Sequence, residues 1–387
     1  MVGTFRGQGE DRQTHGDPVK RRALLLGVLV ASPPVFAGGP GSRGAEVLKL
    51  EGGPRAYALG DARAALLGDA YSLFGNPAGL ASLERAETAF LYNRGVEGIG
   101  EQSLLGALPV GRRSVLAAGM LRLDSGSIDG FDASGVDAGT VNAEDLVGVL
   151  GWARSAPLGR TSLDFGAAFK WLRSRLDTVR ASAYAFDLGT AWRRELAGGT
   201  LALGASARNL GSGIRYDRET ASLPTQLAVG AALSRRAAGG PWTTALELRR
   251  SADDTDRPRL AVALEGSLMG VVRPRVGFFV PNDLGPGLSF GLGLVAHGVR
   301  IDYALSLMGE FGAAHRIGIG FRWGEPVETA RREEDLRRSK AHWDLGRRFL
   351  REKRALDALD ELNKALRDDP GNAAIVEDMR KAHDLLR

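Results

Sequence analysis

The 387-residue sequence contains no cysteine, which removes disulfides, thiol nucleophiles and cysteine-ligated metals in one step. Histidine is nearly as scarce. The five present, His15, His297, His315, His342 and His383, stand at no spacing that suits a zinc site. There is no Gly-x-Ser-x-Gly elbow, Walker loop or dinucleotide fingerprint. The glycines of residues 285–293 lie in a strand-like run with no helix after it. Asp124, Asp129, Asp132, Asp137, Glu144 and Asp145 gather in one stretch, but their spacing fits no regular calcium loop and reads as a solvated loop. These absences point away from an enzyme, a cofactor and a bound metal.

Long hydrophobic runs are missing as well. Near the amino end, Lys20-Arg21-Arg22, the short apolar run Ala23–Ala31 and Val35-Phe36-Ala37 read as an export signal over residues 1–37. That run is far shorter than the ~20 residues of a spanning helix, and Pro33-Pro34 interrupts it. The polar residues before Lys20 are unusual for a signal and fit a translation start nearer Val19. Beyond residue 37 no apolar stretch approaches helix-spanning length. A β-barrel is then the one membrane-spanning structure left, because lipid satisfies no backbone polar group.

What is abundant is glycine, 53 residues, in a chain with 25% charged residues and a formal charge of +5. The chain is too hydrophobic for disorder and too glycine-rich for an ordinary helical enzyme. Arg and Lys are scattered along the strands and concentrated in turns and the last sixty or so residues, a distribution unlike a nucleic-acid footprint.

Residues 85–324 alternate. Tyr184, Phe186, Leu188 and Trp192 share one face against Ala185, Asp187, Gly189 and Ala191; Ile317, Ile319, Phe321 and Trp323 oppose Arg316, Gly318, Gly320 and Arg322. Ile301, Tyr303, Leu305 and Leu307 likewise oppose Arg300, Asp302, Ala304 and Ser306. One face is apolar and the other small or charged, the pattern of a transmembrane barrel. The expected fold class is all-β: a barrel of about fourteen antiparallel strands, beginning near 86, 101, 113, 144, 161, 181, 199, 223, 241, 258, 272, 286, 299 and 314. Brief connections follow the even-numbered strands and mostly longer ones alternate with them, above all 124–143 and 209–222. Trp152, Trp192, Trp242 and Trp323 would lie near the short-turn interface and Trp171 near the other.

Within 45–84, the stretch 52–83 is small-residue rich and ends in Asn-Pro-Ala-Gly-Leu. Asn76 suits an N-cap and Pro77 the first helical position, so a short helix is expected there. Gly53, Gly60, Gly68, Gly75 and Gly79 would let this stretch pack closely as a plug against a surrounding wall. An ordinary surface helix pair has the same composition. Of the inward charges on the strands, Asp164, Lys170, Asp187, Arg208, Glu247, Arg249, Glu265, Arg273, Arg275, Arg300, Asp302 and Arg322, several would pair with one another or with Arg55, Asp61, Arg63 and Asp69 of the plug; otherwise they line water.

At Gly53-Pro54-Arg55-Ala56, Leu59-Gly60-Asp61-Ala62 and Asn76-Pro77-Ala78-Gly79-Leu80 the chain resembles the start of the PorV/PorQ group of outer-membrane proteins, relatives of the FadL fatty-acid channels. Leu73-Phe74-Gly75 departs from the more polar approach of many relatives. The resemblance implies an outer-membrane barrel with periplasmic termini. It would carry hydrophobic compounds or serve secreted proteins, with membrane lipid, a small hydrophobe and exported or periplasmic proteins as partners. Arg55, Asp61, Asn76, Pro77 and Gly79 would form the plug motif.

Past Gly324 the composition turns charged and helix-favouring. Residues 339–372 match one 34-residue tetratricopeptide unit, with Leu345-Gly346, Phe349, Ala358, Leu362, Ala365 and Pro370 at the packing positions and a further helix at 373–386. A plain amphipathic helical hairpin is the alternative. A lone repeat is normally unstable, so the 325–387 tail would lean on the barrel rim or on a partner; recruiting such a partner as a scaffold is the third functional reading.

Overall fold

The computed structural model describes residues 43–386, apart from 51, 96–97, 132–133, 238, 252–256 and 283–284. The export segment at 1–37 and Asp132 lie outside the described residues.

Period-two alternation makes one closed barrel. Its strands are β1 (Ala86–Arg94), β2 (Gly100–Val110), β3 (Ser114–Phe131), β4 (Asp137–Leu158), β5 (Thr161–Leu176), β6 (Val179–Leu196) and β7 (Gly199–Gly211). A short hairpin, β8 (Ile214–Tyr216) and β9 (Glu219–Ala221), interrupts the series. The barrel then resumes with β10 (Gln226–Ala237), β11 (Gly240–Ser251), β12 (Arg259–Gly266), β13 (Val272–Val280), β14 (Leu288–Ala296), β15 (Val299–Leu307) and β16 (Ala313–Trp323). The order β1-β16-β15-β14-β13-β12-β11-β10-β7-β6-β5-β4-β3-β2 gives fourteen strands, all antiparallel to their neighbours. Pairing of Ala86 with Trp323 through Asn93 with Arg316 seals the seam, so the barrel has no free edge.

Turn lengths divide the two ends. On one end β2–β3, β4–β5, β6–β7, β10–β11 and β14–β15 are joined by two or three residues, as the sequence pattern predicts. The other end differs from expectation in two places. Residues 124–143 are mostly strand, not loop: β3 and β4 run 18 and 22 residues and stay paired out to Phe131 and Asp137, with register shifts on the way. Asp124 and Glu144 face each other across this ladder, and Arg122 bridges them at 2.9 and 2.6 Å. Polar side chains on both faces erase the period-two signal while leaving the backbone ladder intact. The β5–β6 connection is also short, a two-residue turn at Asp177-Thr178 with Asp177 at φ 51°.

Large apolar side chains point outward all round the wall. Phe90, Met120, Leu150, Phe186, Val229, Leu246, Leu292 and Ile319 come from eight strands and are all exposed. No helix among the described residues is long and apolar enough to cross a membrane, which leaves the strands' own apolar belt as the notable surface. The inward face is mostly alanine, glycine and charge, including Ala89, Ala153, Ala185, Ala245 and Ala304, with larger aliphatics Leu91, Leu105, Leu121, Val149 and Leu172 on β1–β5.

The segment before β1 lies within this wall. It comprises 3-10 turns at Glu46–Lys49, Ala70–Phe74 and Pro77–Ser82 and the one-turn helix α1 (Pro54–Ala58). The expected helix after Asn76 is thus 3-10, although Asn76 caps it as expected, its side-chain oxygen accepting from Ala78 N–H at 3.1 Å. Leu48, Tyr71, Leu73, Phe74 and Leu80 pack against the walls of β1–β6, and Leu59, Ala62 and Ala65 against β7 and β10–β12.

Beyond β16 lie three helices, α2 (Val327–Arg351), α3 (Ala355–Asp368) and α4 (Ala373–Asp384). Ala358, Leu362, Ala365, Ile375 and Ala382 form their buried core, flanked by Trp343 and Phe349. At the α2–α3 crossing a Cβ on Gly346 would stand 2.8 Å from Leu362 Cγ, while Pro370 is exposed in the α3–α4 turn. Val327 N–H donates to Glu84 O at 2.7 Å and Arg112 pairs with Asp335, so the tail is tied to the short-turn rim.

Two buried tail carboxylates have displaced titrations. Lys364 and His342, each 2.6 Å away, hold Glu361 below the usual range. Burial pushes Asp378 up, but hydrogen bonds from Trp343 (2.9 Å) and Lys381 (3.0 Å) prevail and hold it down. Both bind fewer protons folded than unfolded. Their stabilisation is therefore full above the unfolded carboxylate pKa of ~4 and is lost as pH falls through the lower folded values. Hydrogen exchange should show protection of residues 355–368 declining below about pH 4 while barrel amides stay protected; tail protection that rises on acidification would contradict the assignment.

Candidate functional site

The site with most structure is the contact between the inner segment and the wall, and glycine makes it. A Cβ on Gly204 of β7 would fall 1.8 Å from Ala64 O, and one on Gly277 of β13 would fall 1.9 Å from Gly60 N. On β5 and β6, a Cβ at Gly166 would lie 2.3 Å from Ala78 N and one at Gly189 2.0 Å from Asn76 Oδ1. Gly204, Gly277 and Gly166 let backbone meet backbone, and Gly189 admits the capping side chain of Asn76, a closeness that any side chain would prevent. The sequence reading assigned close packing to the plug's own glycines. Gly60 shares that role, its absent Cβ lying 2.9 Å from the backbone of Phe278, but Gly53, Gly75 and Gly79 make room for Tyr71, Arg63 and Ser72 of the segment itself.

Charge fixes the register of this seat. Arg55 pairs with Asp69 at 2.9 Å and with Glu265 of β12 at 2.7 Å. Glu265 also receives Arg275 at 2.8 Å, Arg275 reaches Asp302 at 2.6 Å, and Asp302 takes Arg300 at 2.6 Å. Arg300 and Arg322 both end on Glu87, each at 2.9 Å, and Arg322 also donates to Gly68 O at 3.0 Å. On the opposite side Asp61 joins Arg63 and Arg249, while Glu247 accepts the backbone N–H groups of Arg63 and Ala64 and pairs with Arg249 at 2.7 Å. Asn76 donates to Ala64 O at 2.7 Å and to Thr190 O at 3.0 Å, linking two turns of the segment to β6.

A third node is fully buried. Lys170 of β5 pairs with Asp187 of β6 at 2.8 Å and donates to Asn209 Oδ1 at 2.8 Å, and Asn209 N–H donates to Asp187 at 2.7 Å. Asn209 sits at φ 58° where the β6–β7 register shifts, and its amide reaches Leu48 O and Pro224 O at 3.3 and 3.0 Å. The bulge thus turns a strand residue into a clamp on the inner segment and the connection after β7.

Of the expected residues, the structure brings together Arg55, Asp61, Asn76, Arg249, Arg275, Arg300, Asp302 and Arg322 around the inner segment; Asp187 belongs to the separate Lys170 node, and Pro77 and Gly79 are buried in the 3-10 turn. Glu87 and Glu101 escaped sequence reading. Glu87 collects two arginines and Glu101 accepts from Tyr57 at 3.2 Å, beside Arg316, whose guanidinium lies 3.7 Å from the Tyr57 ring centroid. Strand parity contains the signal, since Glu87 shares a face with buried Ala89 and Leu91. Cavities around the segment are small. One between Gly53, Arg55, Arg63 and Tyr71 measures about 20 Å³ and one beside Asp61, Glu247 and Arg249 about 30 Å³, room for a water or two.

No protein-family profile matches the chain, and no curated protein matches it. Among solved structures it is similar to the Pseudomonas putida toluene transporter TodX, with 11% identity and a TM-score of 0.46 over 71% of this chain and all of that one. It is similar also to a Pseudomonas aeruginosa FadL homologue, with 9% identity and a TM-score of 0.41 over 70% of this chain and 98% of that one. CdiB from Acinetobacter baumannii matches at 11% identity and a TM-score of 0.38 over 62% of this chain and 60% of that one. The class of fold, a closed fourteen-stranded antiparallel barrel, rests on the strand ladder itself.

Gly204→Ala and Gly277→Ala should each unseat the segment, since overpacking costs ~1–3 kcal/mol and here the clash is with backbone. Limited proteolysis should cut within 52–83 in both variants. Gly106→Ala, with open space at its Cβ, should behave as wild type. Equal protease resistance in all three would show that close approach does not hold the segment.

Proposed function

We propose that this chain is a non-enzymatic barrel of the outer membrane, of FadL-like type, that supports transport of hydrophobic compounds through a lumen plugged by residues 52–83. The observation that carries this reading is the inversion of the wall: apolar side chains outside, and ion pairs inside that hold a short segment of the same chain. Lipid suits the first surface, and only water or protein suits the second. Arg55, Asp61, Asn76, Pro77 and Gly79 belong to the plug motif under this reading. The domains follow as plug 45–84, barrel 85–324 and a tetratricopeptide-like tail 325–387, with both termini periplasmic. The short turns face the periplasm.

A second reading, support of protein secretion as in the PorV/PorQ group, is favoured by two features. The cavities around the plug are far smaller than the ~300 Å³ or more of an ordinary ligand pocket, and the β3–β4 ladder projects well past its neighbours. In the third reading the tail recruits a periplasmic partner. Native mass spectrometry of detergent-extracted protein, with and without residues 325–387, separates them. The transport reading expects a small hydrophobic mass that survives the deletion. A protein partner retained without the tail would support secretion, and one lost with it the scaffold.

Transport requires the plug to yield. Arg55→Ala with Arg249→Ala breaks its pairs with Glu265 and Asp61, and removing one partner of a buried pair costs ~3–5 kcal/mol. The double variant should conduct ions in planar bilayers where wild type stays closed. Unchanged conductance would contradict plug gating by these pairs.

A further inference from the structure

Where the helical tail meets the barrel rim there is a cleft of about 540 Å³ lined by Val110, Arg112, Arg113, Ser114, Arg154, Arg338 and Asp368. Four arginines face one aspartate. Two of them are spoken for: Arg112 pairs with Asp335, and Arg338 lies 2.7 Å from Asp335 and 3.6 Å from Asp368. Arg113 and Arg154 enter no ion pair among the described residues. A concave site with surplus guanidinium charge and a hydroxyl is built for an anion with several oxygens, and guanidinium suits phosphate oxygens best.

The strand register says where that phosphate comes from. Arg154 points outward, alternating with buried Ala153 and Ser155 and following exposed Trp152 and Leu150 on the same face of β4. Across the ladder Arg154 faces Ser114, which faces Val110; in the next row toward the barrel's middle Trp152 faces Leu116, which faces Leu108. Charge and hydroxyl occupy one row, and tryptophan and leucine the adjacent one. A free phosphate would use only the first row. A glycerophospholipid uses both, headgroup on the arginines and acyl chain over Leu108, Leu116 and Trp152, at the depth where tryptophan marks a membrane interface.

We propose that this cleft binds the phosphate headgroup of an anionic glycerophospholipid from the leaflet facing the short-turn rim, and that Arg338 of the tail completes the site, so that bound lipid helps hold the tail against the barrel. This rests on the reading of the barrel as membrane-spanning. The rim around the cleft suits an anionic surface: Arg160, Arg194, Arg235 and Arg236 stand near the same end of the neighbouring strands β4–β7 and β10. Attraction of basic groups to anionic lipid is a short-range effect at physiological salt, so the bound molecule must touch the cleft.

The test uses the full chain in nanodiscs of phosphatidylethanolamine with phosphatidylglycerol at four to one, followed by release and native mass spectrometry. Wild type should retain one phosphatidylglycerol. The Arg113→Ala/Arg154→Ala variant should retain it at least about tenfold less, the size expected for one lost charge-assisted pair. Should that variant fail to fold, Arg338→Ala changes only the tail and should also lower retention. Inorganic phosphate at millimolar concentration should not displace the lipid. Equal retention in wild type and variants would overturn the proposal, as would displacement by phosphate with no lipid preference, which marks an adventitious ion only, or an acidic protein found in place of lipid. A chain that stays soluble without detergent would instead overturn the membrane reading beneath it.

Discussion

The rest of the structure depends on the contact between the inner segment and the barrel wall. Fourteen strands enclose more space than their own inward side chains fill, so the interior must hold water or more protein. Here it holds protein. Burial of Leu48, Leu59, Leu73, Phe74 and Leu80 supplies the drive, each such side chain being worth ~1.5–3 kcal/mol. The ion pairs act differently. A buried pair returns little net stability but is costly to break on one side, so the Arg55, Asp61, Glu87, Glu247 and Glu265 contacts choose position more than they add affinity.

That division bears on function. An apolar wall vacated by its plug would be left facing water at full hydrophobic cost, whereas charged and small residues can be hydrated. The β11–β15 wall against which the plug sits carries Glu247, Arg249, Glu265, Arg275, Arg300 and Asp302 and so tolerates being emptied better than the aliphatic β1–β5 side, with Leu91, Leu105, Leu121, Val149 and Leu172. The Lys170–Asp187–Asn209 node is the exception, being inaccessible to water and tied to Leu48 O. It is suited to remain as a fixed point of the segment.

Much of the fold could be read from the chain because the barrel's signals are local. Alternation in Tyr184–Trp192 and Arg300–Leu307 placed β6 and β15, and glycine turns such as Gly111 and Gly298, at φ 60° and 84°, marked the short end. Residues 124–143 could not be read that way, because strands wet on both faces alternate nothing. Glu87, Glu101 and the wall glycines were hidden for a different reason. Their meaning lies in partners far along the chain, Glu87 with Arg322 and Gly204 with Ala64, and a single sequence gives the parity of a residue but not what stands opposite it.

The most direct test of the central claim uses the absence of cysteine. Ser72 is buried inside the segment, lines its small cavity and differs from cysteine by one atom. In the full chain reconstituted in lipid nanodiscs, Ser72→Cys should react slowly with a charged, membrane-impermeant maleimide and react quickly once Arg55→Ala and Arg249→Ala are added. Rapid labelling of Ser72→Cys in the otherwise unaltered chain would mean that residues 52–83 do not plug the barrel.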